Sequence, residues 1–213
     1  MKKVSLIFSL FAIALMMLSG CGESVKESHI GKQVWMTENL YVDKFRNGDP
    51  IPHAKTIDEW RVAAFNGEPA WCYYDNDPAN GEKYGKLYNW YAVNDPRGLA
   101  PEGWHVPSLQ EWNTLIDHLG GVEVAGMKMI GFEKKSKNEN DRNDFSALLA
   151  GLMGKNNEFG LLYDATLFWS STEDRPEAMG VLLKNTSEEN LIIKSFNKEI
   201  GASVRCIKDY SKN

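Results

Sequence analysis

Pro107-Ser108-Leu109-Gln110-Glu111-Trp112, "PSLQEW", is the clearest structural signal in the chain. Ser108 and Glu111 form a capping box, in which the serine hydroxyl serves the backbone N–H three residues on and the glutamate reaches back. Leu109, Trp112, Leu115, Ile116 and Leu119 follow at spacings that put all five on one helical face, and Gly120-Gly121 supplies the stop. A second box, Thr56-Ile57-Asp58-Glu59, opens an earlier helix expected to run to about Phe65 and to end near Asn66-Gly67.

On either side of these helices the periodicity changes. Ile30 to Met36 alternates as a first strand, and Ala70 to Tyr74 is a second candidate. Glu133 to Asp144, "EKKSKNENDRND", has no apolar residue and reads as a solvated loop. Beyond it, Leu167–Thr172, Ala178–Lys184, Leu191–Phe196 and Ala202–Lys208 are short β-prone runs separated by polar breaks. Such a succession predicts an antiparallel meander. Two capped helices followed by a C-terminal meander make the expected class α+β.

The N-terminus carries an address. Lys2 and Lys3 precede an apolar run from Val4 to Leu18, which is short for a spanning helix. Leu18-Ser19-Gly20-Cys21 follows, the pattern of a bacterial lipobox. The reading is a lipoprotein signal at 1–20, an acylated Cys21, a polar tether at 21–29, one domain at 30–209 and a tail at 210–213. Several acyl chains, palmitate among them, make a stable anchor where one would not. Gly22 lacks the aspartate that retains some lipoproteins at the inner membrane, so the expected location is the outer membrane or cell surface.

The chain's 213 residues and net charge of −5 suit one cored domain and argue against a nucleic-acid partner, which demands a basic face. With Cys21 lipidated, Cys72 and Cys206 remain. In an oxidising compartment they either pair, closing a long loop, or stay as buried thiols.

Taken together, "IGKQVWMTENLYV" at 30–42, "GKLYNWYAV" at 85–93, "PEGWHVPSLQEW" at 101–112, "FSALLAG" at 145–151, "FWSSTE" at 168–173 and "GASVRCIKD" at 201–209 resemble the Fibrobacter succinogenes major paralogous domain. That family is abundant in lipoproteins of Bacteroidetes and Fibrobacteres. The resemblance implies a C-type-lectin-like fold, shared with formylglycine-generating enzymes; "GWHVPSLQEW" and "SVRC" are similar to motifs of those enzymes. It implies no defined activity.

"DNDPANGEKYG" at 75–85 offers Asp75, Asp77, Asn80 and Glu82 as calcium ligands, but the template misplaces its glycine, and Asp77-Pro78 and Asn80-Gly81 are turn dipeptides. A sharp turn is the favoured reading and no cofactor is expected. None of the eight prolines has Glu or Gln before it and Asn or Asp after it, so the familiar calcium-dependent sugar motif of lectin-like proteins is missing. His29, His53, His105 and His118 lack zinc spacing. No nucleophile elbow or phosphate loop occurs. Formylglycine-generating catalysis needs a C-terminal cysteine pair, and only Cys206 is there.

Aromatics are the remaining signal, with seven Trp and eight Tyr. Trp35, Trp104 and Trp112 are expected in the core. Trp169, Ser170 and Ser171, with Asn185, Asn190 and Asn197 in the following loops, are the expected ligand face, by analogy with the variable late loops of lectin-like relatives. The expected function is a non-catalytic binding or adhesion module for a glycan or protein ligand. The alternative is a structural component of an envelope or fimbria-like assembly; a formylglycine-generating-type enzyme is third.

Overall fold

The computed structural model describes residues 25–130, 145–186 and 189–210. The leader, Cys21, the charged run at 133–144 and the last three tail residues lie outside these.

The first expected strand is a hairpin instead. β1 (Glu27–Ile30) and β2 (Gln33–Met36) pair antiparallel with Ile30 opposite Gln33. The two intervening residues turn at Gly31, whose φ of 61° is left-handed, and a Cβ there would sit 2.9 Å from His118 Nδ1. α1 (Ile57–Asn66) starts where expected: Thr56 Oγ1 accepts from the Glu59 N–H at 3.2 Å. The return arm is displaced by one residue, with the Glu59 carboxylate accepting from the Lys55 N–H at 2.6 Å. The helix ends on left-handed Gly67.

β3 (Trp71–Cys72) is shorter than the expected strand and pairs antiparallel with β4 (Leu87–Tyr88). Between them lie a 3-10 turn (Tyr74–Asn76) and α2 (Pro78–Tyr84). α3 (Trp90–Val93) and β5 (Trp104–His105) lead to α4 (Leu109–His118), where both arms of the Ser108–Glu111 capping box are made. α5 (Val122–Ile130) follows. Trp112, Leu115, Ile116 and Leu119 are buried against Trp35, Phe145 and Phe168, with the Trp35 and Trp112 rings 4.8 Å apart. Each such side chain, fully buried, is worth about 1.5–3 kcal/mol.

The last strands are β6 (Ala150–Met153), β7 (Phe159–Leu162), β8 (Ala165–Asp174), β9 (Glu177–Lys184), β10 (Leu191–Phe196) and β11 (Ile207–Lys208). β8, β9 and β10 form the expected meander, inside a five-stranded sheet ordered β10-β9-β8-β6-β7 in which β6 runs parallel to β8. The fourth expected run leaves that sheet. Gly201–Ser203 makes bridges to Met153, Tyr88 and Phe168, and β11 then inserts between β2 and β5 in a sheet ordered β1-β2-β11-β5. The class is therefore mixed α+β, but strands flank the helices on both sides, because the buried 201–207 segment needs partners from both ends of the chain.

Arg205 marks that closure. It is fully buried, its Nε and Nη2 donate to Asn39 Oδ1 at 3.1 and 2.7 Å, and its Nη1 donates to the Phe145 carbonyl. Burial works against its charge, and the Phe145 ring, 4.4 Å from the guanidinium, compensates in part.

Candidate functional site

The expected ligand face does not form. Trp169 is 0% exposed, and its indole N–H donates to the Tyr88 carbonyl at 2.9 Å. Ser170 is equally buried, its carbonyl accepting from Trp90 Nε1 and its hydroxyl from the Thr172 N–H. Trp169 packs into one core cluster and its neighbour Phe168 into another, so both faces of β8 are covered here. Ser171 is half-buried and its N–H donates to the Pro107 carbonyl. Asn190 is buried against α5, where a Cβ on Gly126 would lie 2.0 Å from its Oδ1. Asn185 is exposed, and Asn197 holds a turn by accepting from the Glu199 N–H. These residues share no open face.

The bridge between Cys72 and Cys206 does not form either: both are free thiols, buried in separate clusters, and burial pushes both thiols up. The "DNDPANGEKYG" stretch is a helix start rather than an open loop. Asp77 Oδ1 caps α2 by accepting from the Ala79 N–H at 2.9 Å, and Asn80 Nδ2 donates to the Tyr74 carbonyl at 3.0 Å. Asp75 and Glu82 point into solvent. Among the described residues no group of three or more His, Cys, Asp or Glu is placed to hold a metal ion.

What that stretch does build is a place for Tyr73. A Cβ on Gly81 would lie 2.2 Å from the Tyr73 ring, so the glycine lets the ring pack flat on α2. Tyr73 stacks beside Tyr41, centroids 6.1 Å apart and planes 28° apart, and their hydroxyls meet at 3.2 Å. Tyr41 is 46% exposed and Tyr73 half-buried. Burial, then the Tyr41 bond, pushes the Tyr73 phenol up to about 12, so it keeps its proton.

The rest of the cluster comes from β3 and the strand facing it. The segment before α1 runs along β3: Trp71 N–H donates to the Pro52 carbonyl and Ala54 N–H to the Trp71 carbonyl. This lays His53 on the Trp71 indole, centroids 3.8 Å apart and planes 6° apart. Gly85, with φ 80°, ends α2 and turns the chain so that Lys86 precedes β4. The Lys86 ammonium then lies 3.7 Å from the Trp71 centroid, 4.7 Å from that of Tyr41 and 6.0 Å from that of Tyr73.

Lys86 is 2% exposed and, among the described residues, has no carboxylate within ion-pair distance and no hydrogen-bond acceptor. Burial lowers its pKa, and Asp43 at longer range opposes this. Burial, then Lys55 and Lys86, also lowers that of His53, which keeps the imidazole neutral at pH 7. The cluster therefore offers stacked phenol faces, hydroxyl and imidazole groups, and a cation held among rings. Groups of this kind can take up apolar ring surfaces on aromatic faces while polar tips fix orientation. None of its five members lies in the late loops. The one local signal was a lysine between Gly85 and Leu87, in a run at 85–93 that is apolar or aromatic but for it and Asn89.

Fold and site together define a mixed α+β domain with a cluster of aromatic side chains around Lys86. The chain matches the Fibrobacter succinogenes major domain over residues 29–208, and it belongs to that family. No curated protein and no solved structure matches it. Among the described residues, no helix is long and apolar enough to cross a membrane.

Proposed function

We propose that the chain is a lipid-anchored, non-catalytic binding module of the outer membrane or cell surface, and that it takes a saccharide on the Tyr41–Tyr73 face. The observation that carries this is the half-open, stacked tyrosine pair beside the Lys86 ammonium, which lies 4.7 Å from the Tyr41 ring centroid. A pyranose presents a C–H face that suits a phenol ring, and its hydroxyls suit the polar tips beside it. The anchor is acylated Cys21, no cofactor takes part, and the C-type-lectin-like kinship rests on the shared motifs.

A second reading, a subunit of an envelope or fimbria-like assembly, is favoured by the outer face of α1. There Ile57 and Val62 are exposed and Phe65 is 87% exposed, an apolar strip of the kind that marks protein contacts.

The test is a glycan array probed with the full chain in detergent, before and after a chelator wash, beside Tyr41→Ala and Tyr73→Ala. Binding that survives the wash and is lost in both variants is the expected result. A blank array would transfer the weight to the assembly reading. Chelator-sensitive binding would point back to Asp75, Asp77, Asn80 and Glu82.

A further inference from the structure

Resting on that reading of the site, we infer that its saccharide is acidic, with a carboxylate that pairs with the Lys86 ammonium while the sugar ring stacks on Tyr41 and Tyr73. Lys86 is the starting point. An ammonium taken out of water is expensive unless paired, and aromatic faces compensate only part of that cost. Trp71 and Tyr41 supply such faces at 3.7 and 4.7 Å, but among the described residues no oxygen approaches as a partner. The nearest influence of opposite sign, Asp43, is exposed and acts only at a distance.

The surroundings are rich in donors. The two phenols share one hydrogen between them at 3.2 Å, so whichever donates, the other's hydrogen is free for an outside oxygen. His53 lies stacked on Trp71, where Lys55 adds to the positive field and Glu59 offsets part of it. A neutral sugar would use the rings and the phenol hydrogen but leave the cation unpaired. A uronate places an anionic acceptor beside a charged donor, and such charge-assisted bonds are roughly twice as strong as neutral ones.

The test measures binding of trigalacturonate and of its methyl ester to the full chain in detergent by calorimetry. The acid should bind at least tenfold more tightly at low salt, and the preference should shrink as salt is raised. Lys86→Met should abolish the preference while leaving weak binding of the ester, and Lys86→Arg should retain much of it. Asp43→Asn removes the opposing charge without touching the buried cluster and should strengthen binding of the acid two- to fivefold. It serves as the check should the Lys86 variants fold poorly. Equal affinity for acid and ester, unmoved by Asp43→Asn, overturns the acidic ligand but leaves the saccharide face standing. No binding of either probe, together with a blank glycan array, overturns both.

Discussion

Replacing Lys86 by methionine should make the protein more stable while depriving the site of its charge. Lys86 as a residue is 2% exposed and its ammonium has no ion-pair partner among the described residues, and holding an ion largely out of water costs several kcal/mol even after the surroundings relax. Against this stand three cation–π contacts: Trp71 at 3.7 Å and Tyr41 at 4.7 Å, worth about 2 and 1 kcal/mol given that the first is desolvated and the second half-open, and Tyr73 at 6.0 Å, at the limit of reach and adding little. Methionine keeps most of the buried stem and removes both the contacts and the cost. The balance is a gain of about 1–2 kcal/mol at pH 7, or about 2–8 °C in Tm for a domain of this size. Urea denaturation of wild type and variant side by side reads it. The pH dependence has a definite sign. Burial lowers the folded-state pKa of Lys86 from 10.5, so its penalty is complete while it is protonated in both states. That penalty fades as pH rises through the lowered folded pKa towards 10.5, and the advantage of methionine should narrow with it. A Lys86→Met protein less stable than wild type by more than 1 kcal/mol at pH 7, or a gap that widens on the way to pH 10, would refute the reasoning.

Three further outcomes are expected. Gly81→Ala forces a Cβ to within 2.2 Å of the Tyr73 ring, so it should cost about 1–3 kcal/mol in denaturation and abolish saccharide binding by displacing that ring. His105 sits between Glu111 Oε1 at 2.8 Å and Asp209 Oδ1 at 2.7 Å, chiefly the Glu111 bond raising its pKa above 6.5. Burial disfavours the Glu111 carboxylate, but bonds from His105 and Ser108 overcome this and hold it at about 2, below its usual 4.5. The imidazole's contribution is thus complete below pH 6.5 and lost as pH rises through the raised value, whereas the carboxylate's is complete above pH 4.5 and lost as pH falls through about 2. His105→Ala should therefore destabilise most between pH 4.5 and 6.5, by about 1–2 kcal/mol, and less at pH 8.5; a pH series of urea melts checks it. Trp169→Phe removes one of the two donors to the buried Tyr88 carbonyl, the Ala202 N–H remaining, so it should cost about 0.5–1.5 kcal/mol in the same melts while leaving saccharide affinity unchanged.

Both capped helices were legible because a cap is a matter of a few neighbouring residues. Thr56 and Ser108 bond to the N–H three positions on, whatever the rest of the chain does. The meander of β8, β9 and β10 was legible for the same reason, since short runs of β-formers between polar breaks fold back on themselves. Membership of the family was equally open to reading, through motifs spread from Ile30 to Asp209.

The site was hidden because its members are far apart along the chain. Tyr41, His53, Trp71, Tyr73 and Lys86 meet because β3 pairs with β4, the segment before α1 is bonded along β3, and the Lys86 N–H donates to the Leu40 carbonyl next to Tyr41. Trp169 misled for a related reason: "FWSST" is the same string on a strand with one open face, where it would meet a ligand, and on β8, whose two faces pack into separate core clusters. Gly31, too, reads as one position in an alternating strand until its left-handed backbone and the His118 ring beside it make it a hairpin turn. The order of residues by itself determined caps, turns, strand-forming runs and kinship, because these depend on groups a few positions apart. Which aromatics are buried and which stand open around Lys86 was decided only by the tertiary structure, because burial depends on what the rest of the chain lays on each face.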